Sequence, residues 1–181
     1  MDQLEILNTS TPTGSFLRRL DLARVGVVGH SLGGATALQF CHDDARCKVG
    51  IDLDSSPLGS VVAGGVHQPF TFLLNEHRGE ADAPEVQAKI DHLYNRLPSD
   101  RRVELTIHGA NHFGFSDDGA LLKSPIVMKI LNATGVLKLE GPRQINITRH
   151  YIDAFFDSYL KDRQAPQFRD NQAFPEVTIR P

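Results

Sequence analysis

The sequence holds no tryptophan, only two cysteines and only two methionines in 181 residues. Two cysteines do not make the disulfide framework of a small secreted scaffold, and their spacing is not that of a CxxC metal pair. Cys41 and Cys47 are therefore expected as free, buried thiols. Positive charge is not in excess either. A formal net charge of -3 gives no general attraction for phosphate backbones or anionic surfaces, so nucleic acid is not expected as a partner. No run approaches the roughly 18 apolar residues that cross a bilayer. Met1 is followed by Asp2 and Glu5 rather than by a basic signal start.

What is present describes one globular domain with a sizeable core, 40% of the residues being hydrophobic and 23% charged. The tripeptides Asn8-Thr9-Ser10, Asn132-Ala133-Thr134 and Asn146-Ile147-Thr148 fit a glycosylation sequon and permit a secreted source. Localisation stays open on that point.

Four short segments read as strands buried on both faces: Arg24–Gly29, Lys48–Leu53, Pro69–Leu74 and Arg102–His108. Helix-like stretches separate them. Val86, Ile90, Leu93 and Leu97 recur at helical spacing between Pro84 and Pro98. A last helix over about 144–161 is expected to turn Ile145, Ile152, Phe155, Phe156 and Tyr159 towards one side. The alternation predicts an α/β domain over residues 1–163 with about four parallel strands flanked by helices. Residues 164–181, with three prolines and few apolar residues, read as an extended tail.

The segment Arg24–Phe40, RVGVVGHSLGGATALQF, sets a serine on a glycine-flanked turn between a strand and a helix. Gly29-His30-Ser31-Leu32-Gly33 is GxSxG in the context where that motif holds a nucleophile above a sheet. The glycines on both flanks let strand and helix approach, and the Leu32 amide is placed to hold a developing oxyanion. A dinucleotide site is the rival reading, with Gly26, Gly29 and Gly33 followed by Asp52 or Asp54. Its GxGxxG spacing is not met.

A serine needs a base, and the base a carboxylate. In a parallel sheet such groups gather beyond the carboxyl ends of the strands. Asp54 closes VGIDLD and is preferred to Asp52; His112, on the loop after the fourth strand, is preferred to His108. His30 is expected to shape the turn, and His42, His67, His77, His92 and His150 have no assigned partner. Asp117 and Asp118 read as a solvated loop end rather than as metal ligands, and no cofactor is called for.

Together GHSLGGATALQF, CKVGIDLDSSPLG and TIHGANHFGFSD resemble the platelet-activating-factor acetylhydrolases, the lipoprotein-associated phospholipase branch of the α/β-hydrolases, over about Leu22–Leu160. The resemblance assigns Ser31, Asp54 and His112 as the triad. It implies a calcium-independent, cofactor-free esterase acting on short or oxidised acyl chains of phospholipids, with SSPLGSVVAGG along the acyl side of the pocket. Ser55 and Ser56 depart from the bulky aromatics that often follow the aspartate in that family, which keeps a broad carboxylesterase or polyester hydrolase open.

The resemblance also implies that this is the C-terminal part of the fold, its first four strands missing and with them the second oxyanion donor. The Arg24–Gly29 strand would then present an open edge. That edge supplies a further alternative, an inactive remnant that takes a second chain or dimerises by strand addition. The substrate expected of the enzyme is a small-molecule or lipid ester, with contact to a lipid surface.

Overall fold

A computed structural model describes residues 1–9, 16–77, 80–117, 126, 138–161, 163 and 173–181. Asp118, the Asn132 sequon and all of residues 164–172 lie outside the described residues. The chain begins with α1 (Asp2–Thr9) and then alternates β1 (Val25–His30), α2 (Leu32–Asp43), β2 (Cys47–Leu53), the short α3 (Val61–Gly64), β3 (Phe70–Leu74), α4 (Ala83–Arg96) and β4 (Arg102–Ile107). A 3-10 turn at His112–Phe115, the long α5 (Gly141–Leu160) and β5 (Val177–Arg180) follow.

The sheet has the order β1-β2-β3-β4-β5, with β1 to β4 parallel. Each crossover moves one strand in the same direction. Right-handed crossovers that march one way lay their helices on one face. Accordingly Leu38 of α2, Val61 of α3 and Val86, Ile90 and Leu93 of α4 share one buried cluster with Phe70, Phe72 and Leu74 of β3. The opposite face is covered by α5, whose Ile147, Tyr151, Ala154 and Phe155 pack on Val49, Ile51, Leu105 and Ile107. The buried stripe of α5 is thus shifted from the expected one: Ile152, Phe156 and Tyr159 lie only at its margin.

Two further differences from the sequence reading are structural. The sheet gains a fifth strand, antiparallel to β4, from the segment read as a tail: Val177 pairs with Ile107 and Ile179 with Leu105. The four-residue alternation Val-Thr-Ile-Arg was too short to stand out beside Pro166, Pro175 and Pro181. The thiols are not free. Cys41 and Cys47 are bonded, with their Cα atoms 5.0 Å apart. The reversal from the last turn of α2 through Asp44–Arg46 into β2 places the two side by side, so a single local pair forms without a wider framework.

β1 forms one edge, and its outer side has no strand partner among the described residues. Val28 is 44% exposed there although its segment reads as a strand buried on both faces. Among the described residues no helix is long and apolar enough to cross a membrane.

Candidate active site

β1 ends at His30 and α2 starts at Leu32, leaving Ser31 alone to turn the chain. It does so at φ 57° and ψ -125°, a left-handed backbone that non-glycine residues adopt only under constraint and at about 1–3 kcal/mol. The constraint is visible. The Ser31 amide donates to Leu53 O at the end of β2 (2.9 Å), and its carbonyl accepts from the Gly34 and Ala35 amides of the first turn of α2.

The two motif glycines are not equivalent. A Cβ on Gly29 would lie 2.0 Å from Gly33 O, whereas one on Gly33 would meet nothing within 4 Å. Of the two motif glycines, only Gly29 is required by the close approach. Gly34, one residue beyond the motif, is closed too, by Asp52 Oδ1.

The Ser31 hydroxyl lies 2.9 Å from His112 Nε2, and His112 Nδ1 lies 2.8 Å from Asp54 Oδ2. Residues from the ends of β1, β2 and β4 thus converge at the carboxyl edge of the sheet, where parallel strands collect functional groups. His112 opens the 3-10 turn, which Asn111 caps by accepting from the Gly114 amide at 3.0 Å. Gln144 of α5, fully buried, donates to Asn111 O and accepts from the Asn111 amide, tying that loop to the helix. The His30 ring packs against His112 with centroids 4.6 Å apart and approaches Phe115, so it braces the imidazole rather than competing with it.

Asp54 is itself at φ 58° and its side chain is wholly buried. Burial alone would raise its pKa, but the hydrogen bonds from His112 and the Asn75 amide and the close approach of the His77 ring outweigh that and hold it well below the usual carboxylate range. It is an anion at any working pH. That anion in turn raises His112 above the ordinary histidine value, against the opposing effect of partial burial.

Asp52, the rival carboxylate, points elsewhere. Its oxygens accept from the Ser55 amide (3.1 Å) and hydroxyl (2.7 Å), and burial pushes its pKa up to about 7. His108 is likewise engaged away from Ser31, with Glu76 at 3.0 Å and Thr178 at 2.6 Å. The Leu32 amide is the first of α2 and directly follows Ser31, where the helix N-terminus concentrates partial positive charge. Among the described residues no three His, Cys, Asp or Glu side chains are grouped to hold a metal ion. Asp117 is exposed.

Two partners of Asp54 escape the sequence reading. Asn75 donates to it twice, from its amide and its Nδ2, both at 2.8 Å. His77, left without a partner there, approaches Asp54 Oδ1 at 3.1 Å. The signal available was their position: Asn75-Glu76-His77 follows β3 at the carboxyl edge. Ser31 and His112 open onto a cleft of about 430 Å³ also lined by Leu32, Ser55, Ser56 and Leu58.

Sheet order, the strained strand-to-helix turn and the Ser31–His112–Asp54 contacts define an α/β-hydrolase type of domain. A solved structure of similar fold is a ferulic acid esterase from Streptomyces cinnamoneus, with a TM-score of 0.79 and 27% identity over 99% of this chain and 53% of that one. The chain belongs to the family of platelet-activating factor acetylhydrolase, isoform II, whose profile matches residues 2–173. It is 29% identical to the platelet-activating factor acetylhydrolase of Cavia porcellus over 88% of this chain and 37% of that protein. It is 25% identical to the "Probable 1-alkyl-2-acetylglycerophosphocholine esterase" of Arthroderma benhamiae over 87% of this chain and 43% of that protein. The chain therefore spans less than half the length of these curated relatives.

Proposed function

We propose that this chain carries the catalytic residues of a serine esterase that cleaves short or oxidised acyl chains from phospholipids. The observation that carries the reading is the unbroken contact from Ser31 Oγ through His112 to the buried anion of Asp54. His112 Nε2 accepts the hydroxyl proton as Ser31 Oγ attacks the ester carbonyl. Asp54 accepts from Nδ1, fixes the tautomer that leaves Nε2 free, and stabilises the imidazolium. The Leu32 amide faces the oxyanion. His112 then returns the proton to the leaving alcohol, and water activated by the same imidazole releases the acyl group from Ser31.

The substrate class rests on the family and on the cleft's rim. Leu32 and Leu58 are 71% and 52% exposed at its wall, and Phe113 beside His112 is 66% exposed. Such a rim favours an acyl chain and contact with a lipid surface. The local disulfide fits an oxidising compartment and supports a secreted source.

A second reading, a broader carboxylesterase, is favoured by the polar Ser55 and Ser56 at the acyl side and by the ferulic acid esterase neighbour. The open edge of β1 supports the remnant alternative, in which the chain takes a further strand or a second copy.

Labelling with a fluorophosphonate, then assay of an acyl-chain series against an aromatic ester, separates the three. An adduct at Ser31 with preference for short acyl glycerophospholipids is the expected result. Preference for the aromatic ester favours the broader enzyme. No adduct in a folded sample favours the remnant.

A further inference from the structure

Asp54 has more partners than orienting one imidazole requires. Oδ2 accepts from His112 Nδ1 and Asn75 Nδ2, and Oδ1 from the Asn75 amide. The remaining approach to Oδ1 is taken by His77, whose Nε2 lies at ion-pair distance, 3.1 Å. On its other side His77 Nδ1 meets Glu80 Oε2 at 2.8 Å. The ring is not a surface side chain that happens to fall near an acid. Its side chain is 13% exposed, its backbone is held at φ 45°, and it stands on the wall of the cleft onto which Ser31 opens.

Nδ1 is hydrogen-bonded to Glu80, while Nε2 faces Asp54 Oδ1 at ion-pair distance without hydrogen-bond geometry; a carboxylate at each nitrogen favours the charged imidazolium. The two flanking anions also neutralise that charge, so the ring is not an anion site for substrate.

We propose that His77 is a positioning residue for the esterase reaction: its imidazolium, held between Glu80 and Asp54, braces the carboxylate from the Oδ1 side and offsets part of its pull on the His112 proton. The proposal rests on the esterase reading above. A lone buried carboxylate at 2.8 Å from His112 makes that imidazole more basic and so keeps it protonated, and idle as a base, further into the neutral range. A cation on the second oxygen reduces the effect and also repels a proton on His112 directly.

The electrostatics of the neighbourhood agree. Asp54 first, and then Glu80, raise His77 to about 9 against the effect of burial, so it stays charged where the enzyme would work. The other groups around it are Asp52, behind Asp54 on β2; Asp82, on the same wall; and His112 itself, whose basicity His77 lowers.

The test is an NMR titration of the histidine rings in the Ser31→Ala chain, with and without His77→Gln. In the parent chain the His77 midpoint should lie well above the ordinary value of about 6.5. A midpoint at that ordinary value overturns the proposal without any further variant. On His77→Gln the His112 midpoint should rise by about half a unit, and an unchanged midpoint overturns it. With Ser31 present, kcat/KM for a short-chain ester at pH 6 should fall about threefold in His77→Gln while the plateau above pH 8 stays within about twofold. A uniform loss across pH would instead mark a merely structural role and overturn the proposal. Absence of activity in the chain carrying Ser31 counts against the esterase reading alone, since the ring titrations do not depend on turnover.

Discussion

Asp52 and Asp54 are two residues apart and both buried, yet their carboxylates serve different elements: Asp54 reaches His112 at 2.8 Å, while Asp52 stays with Ser55 at 2.7 Å. The divergence comes from the backbone. β2 ends at Leu53, and Asp54 turns into the left-handed region, at φ 58°, so it leaves the regular alternation that would have placed both side chains on one face. One acid orients the imidazole. The other closes the turn that presents it, and packs against Gly34 of α2.

Asparagine at each position should therefore have opposite outcomes. Asp54→Asn removes the anion that fixes the His112 tautomer and should lower kcat by about 10³ to 10⁴ in the active form of the enzyme. Asp52→Asn should stay within about tenfold, because it removes no group that touches His112. Steady-state rates with a short-chain p-nitrophenyl ester decide between them, and a loss confined to Asp52→Asn would reverse the assignment.

The same substitution at Asp52 carries a stability prediction with a definite sign. Burial raises this carboxyl to about 7 in the fold, above the unfolded value near 3.9. Its contribution to stability is thus fully present below about pH 4 and is lost as pH rises from there through about 7. Asp52→Asn does not titrate. Relative to the parent chain it should gain about 2 to 4 kcal/mol between pH 4 and pH 8, read from unfolding curves of both proteins across that range. A difference that stays flat with pH would mean that the Asp52 carboxyl is not held in its neutral form.

Much of this site was legible because strand order in a parallel sheet converts sequence position into space. Once β1, β2 and β4 were placed, Ser31, Asp54 and His112 had to meet at one edge, and their order along the chain did the rest. What stayed hidden depends on contacts that no local pattern encodes. Asn75 and His77 look like ordinary loop residues until β3 aligns beside β2 and brings them over Asp54. Gln144 reads as a polar break in the α5 stripe, but it is the anchor of the Asn111 loop. The Cys41–Cys47 bond needed the reversal between α2 and β2, and β5 needed a partner strand to make four alternating residues meaningful.

That bond should be measurable in two ways. Thiol titration of the unfolded, unreduced chain should find no free cysteine, where two would be found if the thiols were open. Replacing both by alanine should cost about 2 kcal/mol, the loop-closure value for so short a ring, read from chemical denaturation. Two titratable thiols in the native protein would remove the disulfide from the fold.

The elbow gives the last prediction, because its two motif glycines are asymmetric. A methyl group at Gly29 would sit 2.0 Å from Gly33 O, a backbone atom that cannot move without moving α2 and the Ser31 turn. Gly29→Ala should then destabilise the chain by about 1–3 kcal/mol. Displacing Ser31 should also slow its labelling by a fluorophosphonate, by about 100-fold for a shift near 1 Å. Gly33→Ala meets open space within the first turn of α2, where alanine is the better helix former. It should be neutral or stabilising by up to about 1 kcal/mol, with labelling of Ser31 unchanged. Equal losses from the two substitutions would show that the close approach is shared between the glycines and not carried by Gly29.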